Sequence, residues 1–362
     1  MNNKIKNILL KLTEKGFEAY VVGGYVRDYI LGKETYDVDI ATNATPKDVI
    51  EIFNITSSTD DNYGSVKFKD SIYNYDITTY RKDIKYENRK PVEYEFTDNI
   101  EEDVKRRDFT INSLYMDSNS KIYDLVNGQK DIVDGIVRVV GNIDDKMNED
   151  PLRLLRAIRF ATKLDFTIDD KLSNYIRQNK MIIRTLSNTR RKEELDKIFK
   201  SENTVKGIKL IKELGIEEDL EIKIPDNIII TDNYLGIWSQ IEIVGDYTFS
   251  TKEQDIIDQV KKIIKYGMID NIVLYQYGLY ASVIAGELLN TTRSYISDIY
   301  KNLPIYSIKD IDIDGDEIIE LLNIEPSETI KDIYHDLEIS ILNNIIKNNK
   351  EEIKEYIVEN WR

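Results

Sequence analysis

Around residue 148 the apolar pattern of the chain changes period, and that change limits what it can fold into. Between residues 17 and 140, short β-rich runs (FEAYVVGG, YDVDIAT, SVKFKD, IYNYDITTY, KIYDLV and IVRVVG) alternate with helical spacing at 24–31 and 46–53. Thr45 ahead of Pro46 supplies an N-cap with proline at the first helical position. Beyond 148 the spacing is helical and strand-like runs become rare, with IPDNIIITD at 224–232 one candidate. Strands gathered in one part and helices in the other predict an α+β fold. At 362 residues the chain is long enough for two or three domains.

With 41% hydrophobic and 32% charged residues, the chain can bury a sizeable core. It contains no cysteine, which excludes disulfides and thiolate metal or redox sites and fits a reducing, cytoplasmic setting. The first residues, MNNKIKNILLKLTEKG, read as a charged amphipathic helix rather than a signal peptide. No run approaches the roughly 18 apolar residues of a membrane span. The net charge of −16 is unevenly spread. Residues 1–144 carry 20 Lys and Arg against 26 Asp and Glu, 145–212 carry 17 against 10, and 213–362 carry 13 against 30. A basic middle segment suits a phosphate backbone, although helix surfaces also vary in charge without any ligand.

AYVVGGYVRDYIL places Gly23 and Gly24 between a strand and a helix, where backbone N–H groups and Arg27 could meet a phosphate. Such turns are also ordinary tight connections. Asp37 and Asp39 lie at i and i+2 on the next strand and share one face. Two carboxylates held side by side repel each other unless a cation lies between them, and that geometry suits Mg²⁺ carrying a nucleoside triphosphate. A solvated strand edge is the alternative. Asp76, inside IYNYDITTY, either completes a metal cluster or points to solvent from an edge strand.

GGYVRD, DVDIAT with its proline-initiated helix, KRRDFTINSLYMD at 105–117, DLVNGQKDIVDGIVRVVGN at 124–142 and EDPLRLLRAIRFATKLDFTID at 149–169 follow in order. Together they resemble the tRNA nucleotidyltransferase and bacterial poly(A) polymerase family, specifically the class II CCA-adding enzymes. The resemblance implies a polymerase-β-like head with a mixed β-sheet over 1–140. A helical neck for nucleobase recognition (141–205), a helical body (206–300) and a helical tail that binds tRNA (301–362) would follow. It implies CCA addition to tRNA from CTP and ATP, with Mg²⁺ as cofactor, catalysis by Asp37, Asp39 and Asp76, and metal binding by Asp37 and Asp39. Gly23, Gly24, Arg27, Arg107, Asp108, Asn112, Glu149, Asp150, Arg153, Arg156 and Arg159 would bind nucleotide. Asp108 would accept a hydrogen bond from a ribose 2′-hydroxyl.

Asp150 and Arg153 are expected at i and i+3 on one helix face, with Glu149 steadying the arginine. Arginine offers a fixed fork of donors, and aspartate accepts from an exocyclic amine. Cytosine and adenine both present an acceptor beside an amine, whereas uracil and guanine reverse that pattern. The resemblance thus implies side chains acting in place of a template.

TYRKDIKYENRKPVEYEF resembles the flexible loop used for ATP, with Arg81, Asp83, Tyr86, Arg89 and Pro91 at the matching places. It could equally be a charged hairpin. In LSNTRR at 186–191, Arg190 and the later Glu194 match a family helix motif, but Thr189 replaces its acidic residue. Asp310, Asp312, Asp314 and Gly315 imitate the start of an EF-hand, yet Leu321 stands where its glutamate is needed. The single histidine, His335, excludes a His-Asp phosphohydrolase site. A poly(A) polymerase, an A-adding specialist and a non-catalytic RNA-binding protein remain the alternatives, and no obligate protein partner is expected.

Overall fold

The computed structural model describes residues 1–55, 64–87 and 90–362, with the backbone alone at 86–87 and 90–91. The chain forms two units, one of 1–222 with 244–247 and the other of 223–243 with 248–362.

In the first unit, β1 (Ala19–Val22), β2 (Asp37–Thr42), β3 (Ser65–Lys69), β4 (Asn74–Thr79), β7 (Leu114–Met116) and β8 (Ile122–Asp124) form one sheet in the order β3-β4-β2-β1-β7-β8. Strands β2 and β4 run parallel and the other neighbours antiparallel, so the sheet is mixed. Alternation sorts its faces: Val38, Ile40, Tyr75 and Ile77 are buried, while Asp37 and Asp39 stay exposed. Helix α1 (Asn3–Glu14) buries Ile5, Leu9 and Leu12 at helical spacing. Helices α2 (Gly24–Ile30) and α3 (Pro46–Phe53) pack against β1–β2 and β3–β4. The Thr45 cap extends to a full capping box, since the Thr45 and Asp48 side chains each accept from the other's backbone N–H.

One segment takes the charged-hairpin alternative that the sequence left open, and two others differ from the sequence reading. Residues 81–87 and 90–96 form a separate hairpin of β5 (Arg81–Glu87) and β6 (Lys90–Phe96), with Tyr86 opposite Pro91. Arg89 lies outside the described residues. IVRVVG contributes only β9 (Ile136–Val137), which leaves the main sheet and pairs in parallel with β10 (Thr167–Ile168). The run at 224–232 forms no strand; at Ile229 the Gln240 side-chain amide meets both backbone groups, donating to the carbonyl and accepting from the N–H at 2.8 Å each.

The helices of this unit that continue the chain are α4 (Ile100–Lys105), α5 (Gly128–Asp134), α6 (Ile143–Glu149), α7 (Leu152–Leu164), α8 (Asp170–Asn179), α9 (Asn188–Phe199) and α10 (Thr204–Leu214). Helix α7 buries Leu154, Leu155, Ala157, Ile158 and Ala161 and packs against α9 and α10. The second unit is helical, with Trp238 fully buried edge-on to Phe249 at 5.2 Å. Its helix Asn271–Leu288 is interrupted at Gly278, whose φ of 71° leaves the helical region. No helix among the described residues is long and apolar enough to cross a membrane.

Candidate active site

The carboxylates come from neighbouring strands. Asp37 and Asp39 project from one face of β2, and parallel pairing sets Asp39 opposite Asp76. Strand β4 lies between β2 and β3, so Asp76 is not on an edge strand. Its carboxylate accepts from Ser65 and is paired with Lys67 at 3.5 Å. Asp37 accepts from the Asn74 amide at 2.9 Å.

Asp39 is open to solvent but sits on a cleft floor surrounded by protein. Loss of hydration there, then the charges of Asp76 and Asp37, raise its pKa above the usual aspartate value. Gly23 makes this position accessible. Its φ is 72°, and a Cβ on it would stand 2.7 Å from Asp39 Oδ2, so glycine is required both by the backbone and by the close approach.

Among the described residues, no group of three or more carboxylate or imidazole residues is arranged to hold a metal. The Asp37–Asp39 pair still fits a hard divalent cation. Mg²⁺ takes one or two protein carboxylates and completes its shell with water and phosphate oxygens, and a cation there would offset both the lost hydration and the neighbouring carboxylate charge that raise Asp39.

Asp39 forms part of the wall of a cavity of about 500 Å³, shared with Gly23, Gly24, Arg27, Arg106, Arg107, Asp108, Asn112, Asp150, Arg153, Arg156 and Phe160, and with Arg81 and Asp83 of β5. Asp37 and Asp76 do not line it; with Asp39 they line an adjoining concavity of about 460 Å³. The cavity's positive charge is held in place by partly or fully buried carboxylates and an amide. Arg27 donates to Asp28 at 2.8 Å and to Asn112 Oδ1 at 2.6 Å. Asp108 accepts from Arg156 Nε at 3.0 Å and from the Phe109 N–H at 2.7 Å. Burial opposes its ionisation, but the Arg156 guanidinium prevails and lowers its pKa. Asn112 occupies a short 3₁₀ turn, and its amide is 3.4 Å from Asp108. Arg159 does not line the cavity; it pairs with Glu194 at 3.3 Å.

Two features escaped the sequence reading. Asp103 is fully buried and accepts from Arg106 at 2.7 Å, Arg107 at 2.8 Å and the Tyr115 hydroxyl at 2.7 Å. Burial works against its charge, but the two guanidiniums hold it well below the usual carboxylate range. The i,i+3 and i,i+4 spacing to Arg106 and Arg107 was a signal available in the sequence. Phe160 is a platform for three cations: Arg27 and Arg156 lie 5.5 Å from its ring centre and Arg159 lies 4.4 Å away.

The Asp150–Arg153 expectation needs correction. The two residues do not share a helix, because α6 ends at Glu149 and α7 begins at Leu152. Asp150 is extended, at φ −150° and ψ 100°, as a residue before proline favours, and Pro151 lacks the N–H needed to continue α6. Asp150 Oδ1 accepts from the Leu152 N–H at 3.0 Å. Arg153, 7% exposed, donates through Nη1 to Glu149 and to the Lys146 carbonyl at 2.6 Å each, and through Nη2 to the Arg106 carbonyl at 3.2 Å. No acceptor among the described residues takes its Nε–H or second Nη2–H. Both Asp150 and Arg153 still reach the one cavity.

Outside this site, Arg190 pairs with Glu193 on the surface, and Glu194 is buried beside Arg159 and Lys197. The acidic run at 310–314 caps backbone N–H groups. Asp310 accepts from the Tyr306 and Ser307 N–H groups, and Asp314 caps the helix Gly315–Leu322. His335 is exposed, 3.7 Å from Glu338.

A mixed-sheet head with paired strand carboxylates beside an arginine-lined cavity defines a nucleotidyltransferase of the polymerase-β-like class. Residues 19–138 match the Poly A polymerase head domain model. Residues 165–220 match the Probable RNA and SrmB-binding site of polymerase A, and 242–357 match tRNA nucleotidyltransferase domain 2. This last match covers much of residues 213–300, where no sequence motif matched the family. The chain is 32% identical to the CCA-adding enzyme of Ligilactobacillus salivarius over 95% of this chain and 93% of the relative. The fold resembles the Bacillus stearothermophilus CCA-adding enzyme in complex with CTP, at a TM-score of 0.82 and 24% identity over 99% of this chain and 96% of that one. It also resembles the Thermotoga maritima CCA-adding enzyme complexed with tRNA-CCA, at a TM-score of 0.74 and 20% identity over 99% and 95%. The chain belongs to the CCA-adding enzyme family.

Proposed function

We propose that this protein adds CCA to tRNA 3′ ends from CTP and ATP without a nucleic acid template, releasing pyrophosphate. The observation that carries the reading is Arg153, whose Nη1 and one Nη2–H are taken by protein, leaving an edge of Nε–H and the second Nη2–H with no acceptor among the described residues, in a cavity shared with Asp39 and Asp150. Cytosine N3 and O2, or adenine N1, would accept from that edge, and Asp150 would accept from the exocyclic amine. Uracil and guanine set an N–H against the guanidinium and a carbonyl against the carboxylate.

Asp37 and Asp39 would hold Mg²⁺ in a two-metal arrangement, with Asp76 beside them as a third carboxylate. Bound there, the metal would neutralise triphosphate charge and make the RNA 3′-hydroxyl more acidic. Gly23, Gly24, Arg27, Arg107 and Arg156 would receive the triphosphate at the start of α2. Asp108 and Asn112 would meet the ribose, and Arg159 would support this wall through Phe160. The divisions 1–140, 141–205, 206–300 and 301–362 would act as head, neck, body and tail. The basic stretch 145–212 would carry most phosphate contacts with the tRNA acceptor arm, in the cytoplasm where tRNA is processed.

The test uses tRNA transcripts ending before CCA, after C and after CC, each with Mg²⁺ and single or mixed nucleotides. Stepwise addition of C, C and one A is expected. A single A added only to the CC-ending transcript would identify an A-adding specialist, long A runs a poly(A) polymerase, and no incorporation would sink the enzymatic reading. In the same assay, Arg153→Ala is expected to raise UTP and GTP use relative to CTP by on the order of tenfold or more, the discrimination of one good bidentate contact. A variant that still rejects both would rule Arg153 out as the base reader.

A further inference from the structure

We propose that Lys146 is a specificity-determining positioning residue: it fixes Glu149, and through it the Arg153 guanidinium, so that only one edge of the arginine is left to read a base. Lys146 lies in the last turn of α6 and is buried, at 6% exposure. A buried ammonium is costly unless its donors are satisfied. Its Nζ donates to both oxygens of Glu149, at 3.1 and 2.8 Å. One of those oxygens also accepts from Arg153 Nη1, and the same Nη1 donates to the Lys146 backbone carbonyl. One residue therefore holds Arg153 twice, directly through its carbonyl and indirectly through the carboxylate it clamps.

The clamp is needed because an arginine fork reads a base only when its plane is fixed. Glu149 sits at the end of α6, just before the extended break at Asp150, where the backbone alone does not hold its side chain. Held only by Arg153, it could swing with the guanidinium and offer Nε or Nη2 a different acceptor. With the ammonium on its other side, the carboxylate is shared by two cations and stays in place. Burial and the charge of Arg153 lower the pKa of Lys146, while the hydrogen bond and charge of Glu149 and the charge of Asp83 on β5 favour the ammonium.

This inference rests on Arg153 as the base reader, so the experiment separates the two. Lys146→Met, Lys146→Arg, Glu149→Gln and Arg153→Lys are compared by kcat/KM for CTP, ATP, UTP and GTP on a transcript lacking CCA, with melting temperatures alongside. Lys146→Met is expected to stay folded and to raise the UTP-to-CTP ratio about tenfold, the loss of one well-placed contact. Lys146→Arg is expected to restore the ratio, and Glu149→Gln to relax it in the same direction. A purely structural role would lower the melting temperature and the rates with all nucleotides together, leaving the ratio unchanged. If Arg153→Lys loses discrimination while Lys146→Met or Glu149→Gln keeps it, the positioning role is overturned and the base reader stands. If Arg153→Lys also keeps it, the base-reading assignment itself falls. Should Lys146→Met fail to fold, Lys146→Gln, which keeps a donor but removes the charge, is read in its place with the same outcomes.

Discussion

Asp39→Ala is expected to lower nucleotidyl transfer by roughly three orders of magnitude or more while leaving the head folded, because stabilising charge that develops during reaction is commonly the largest single contribution to such chemistry. The side chain is solvent-accessible, and in the metal-free chain its charge is opposed by the cleft and by Asp76 and Asp37. Removing it should leave the melting temperature unchanged or slightly higher. A carboxylate whose folded pKa is raised weakens the fold above that pKa, so any gain is present at neutral pH and disappears as acid protonates Asp39. Mg²⁺ should raise the melting temperature of the parent protein by mass action and do so far less for the variant. Transfer at more than a few per cent of the parent rate, or an unchanged Mg²⁺ response, would remove Asp39 from the metal site.

The second large effect lies beneath the cavity. Asp103→Asn should cost about 3–5 kcal/mol of stability, the usual consequence of removing one partner from a buried ion pair, because Arg106 and Arg107 would keep their charge with no buried anion between them. Asp103 has a depressed folded pKa. Its contribution is therefore fully present above the ordinary aspartate value near pH 4 and declines as pH falls toward the lowered one. Urea unfolding at neutral pH and near pH 3 checks this: the gap between parent and variant should be wide at neutral pH and narrower in acid. A gap under about 1 kcal/mol at neutral pH would mean that the two arginines are held by other means. Transfer should also fall, since Arg106 and Arg107 form part of the wall of the cavity proposed to take the nucleotide.

How far the site could be read from the chain depended on how local each interaction is. The strand–Gly23–Gly24–helix turn and the Asp37–Asp39 pair were legible because both follow from short-range geometry, a backbone needing positive φ and the two-residue period of a strand. The role of Pro151 was also local, and its effect on Asp150 could have been anticipated from the restriction proline places on its predecessor. Asp103 was missed despite its helical spacing to two arginines, because nothing in sequence told its carboxylate apart from those of Glu101 and Glu102 beside it. Burial made the difference: Asp103 turns inward to Tyr115, twelve residues on, while Glu102 pairs with Lys105 at the surface.

By itself, then, the sequence determined the division into a mixed-sheet head and a helical remainder, the placing of two carboxylates beside a glycine turn, the cap of α3 and the resemblance to a nucleotidyltransferase family. Periodicity, capping and backbone restriction act over a few residues, and a linear pattern records them. Only the tertiary structure decided which charged and polar side chains meet. Arg27 reaches Asn112 across 85 residues, Arg156 reaches Asp108 across 48, and Arg159 reaches Glu194 across 35. These pairings depend on which helix faces are packed together, and any of the arginines could have satisfied any of the acids in water. In the folded chain, the cost of burying an unpaired charge selects one arrangement, and that arrangement brings Asp39, Asp108, Asp150 and Arg153 to a single cavity.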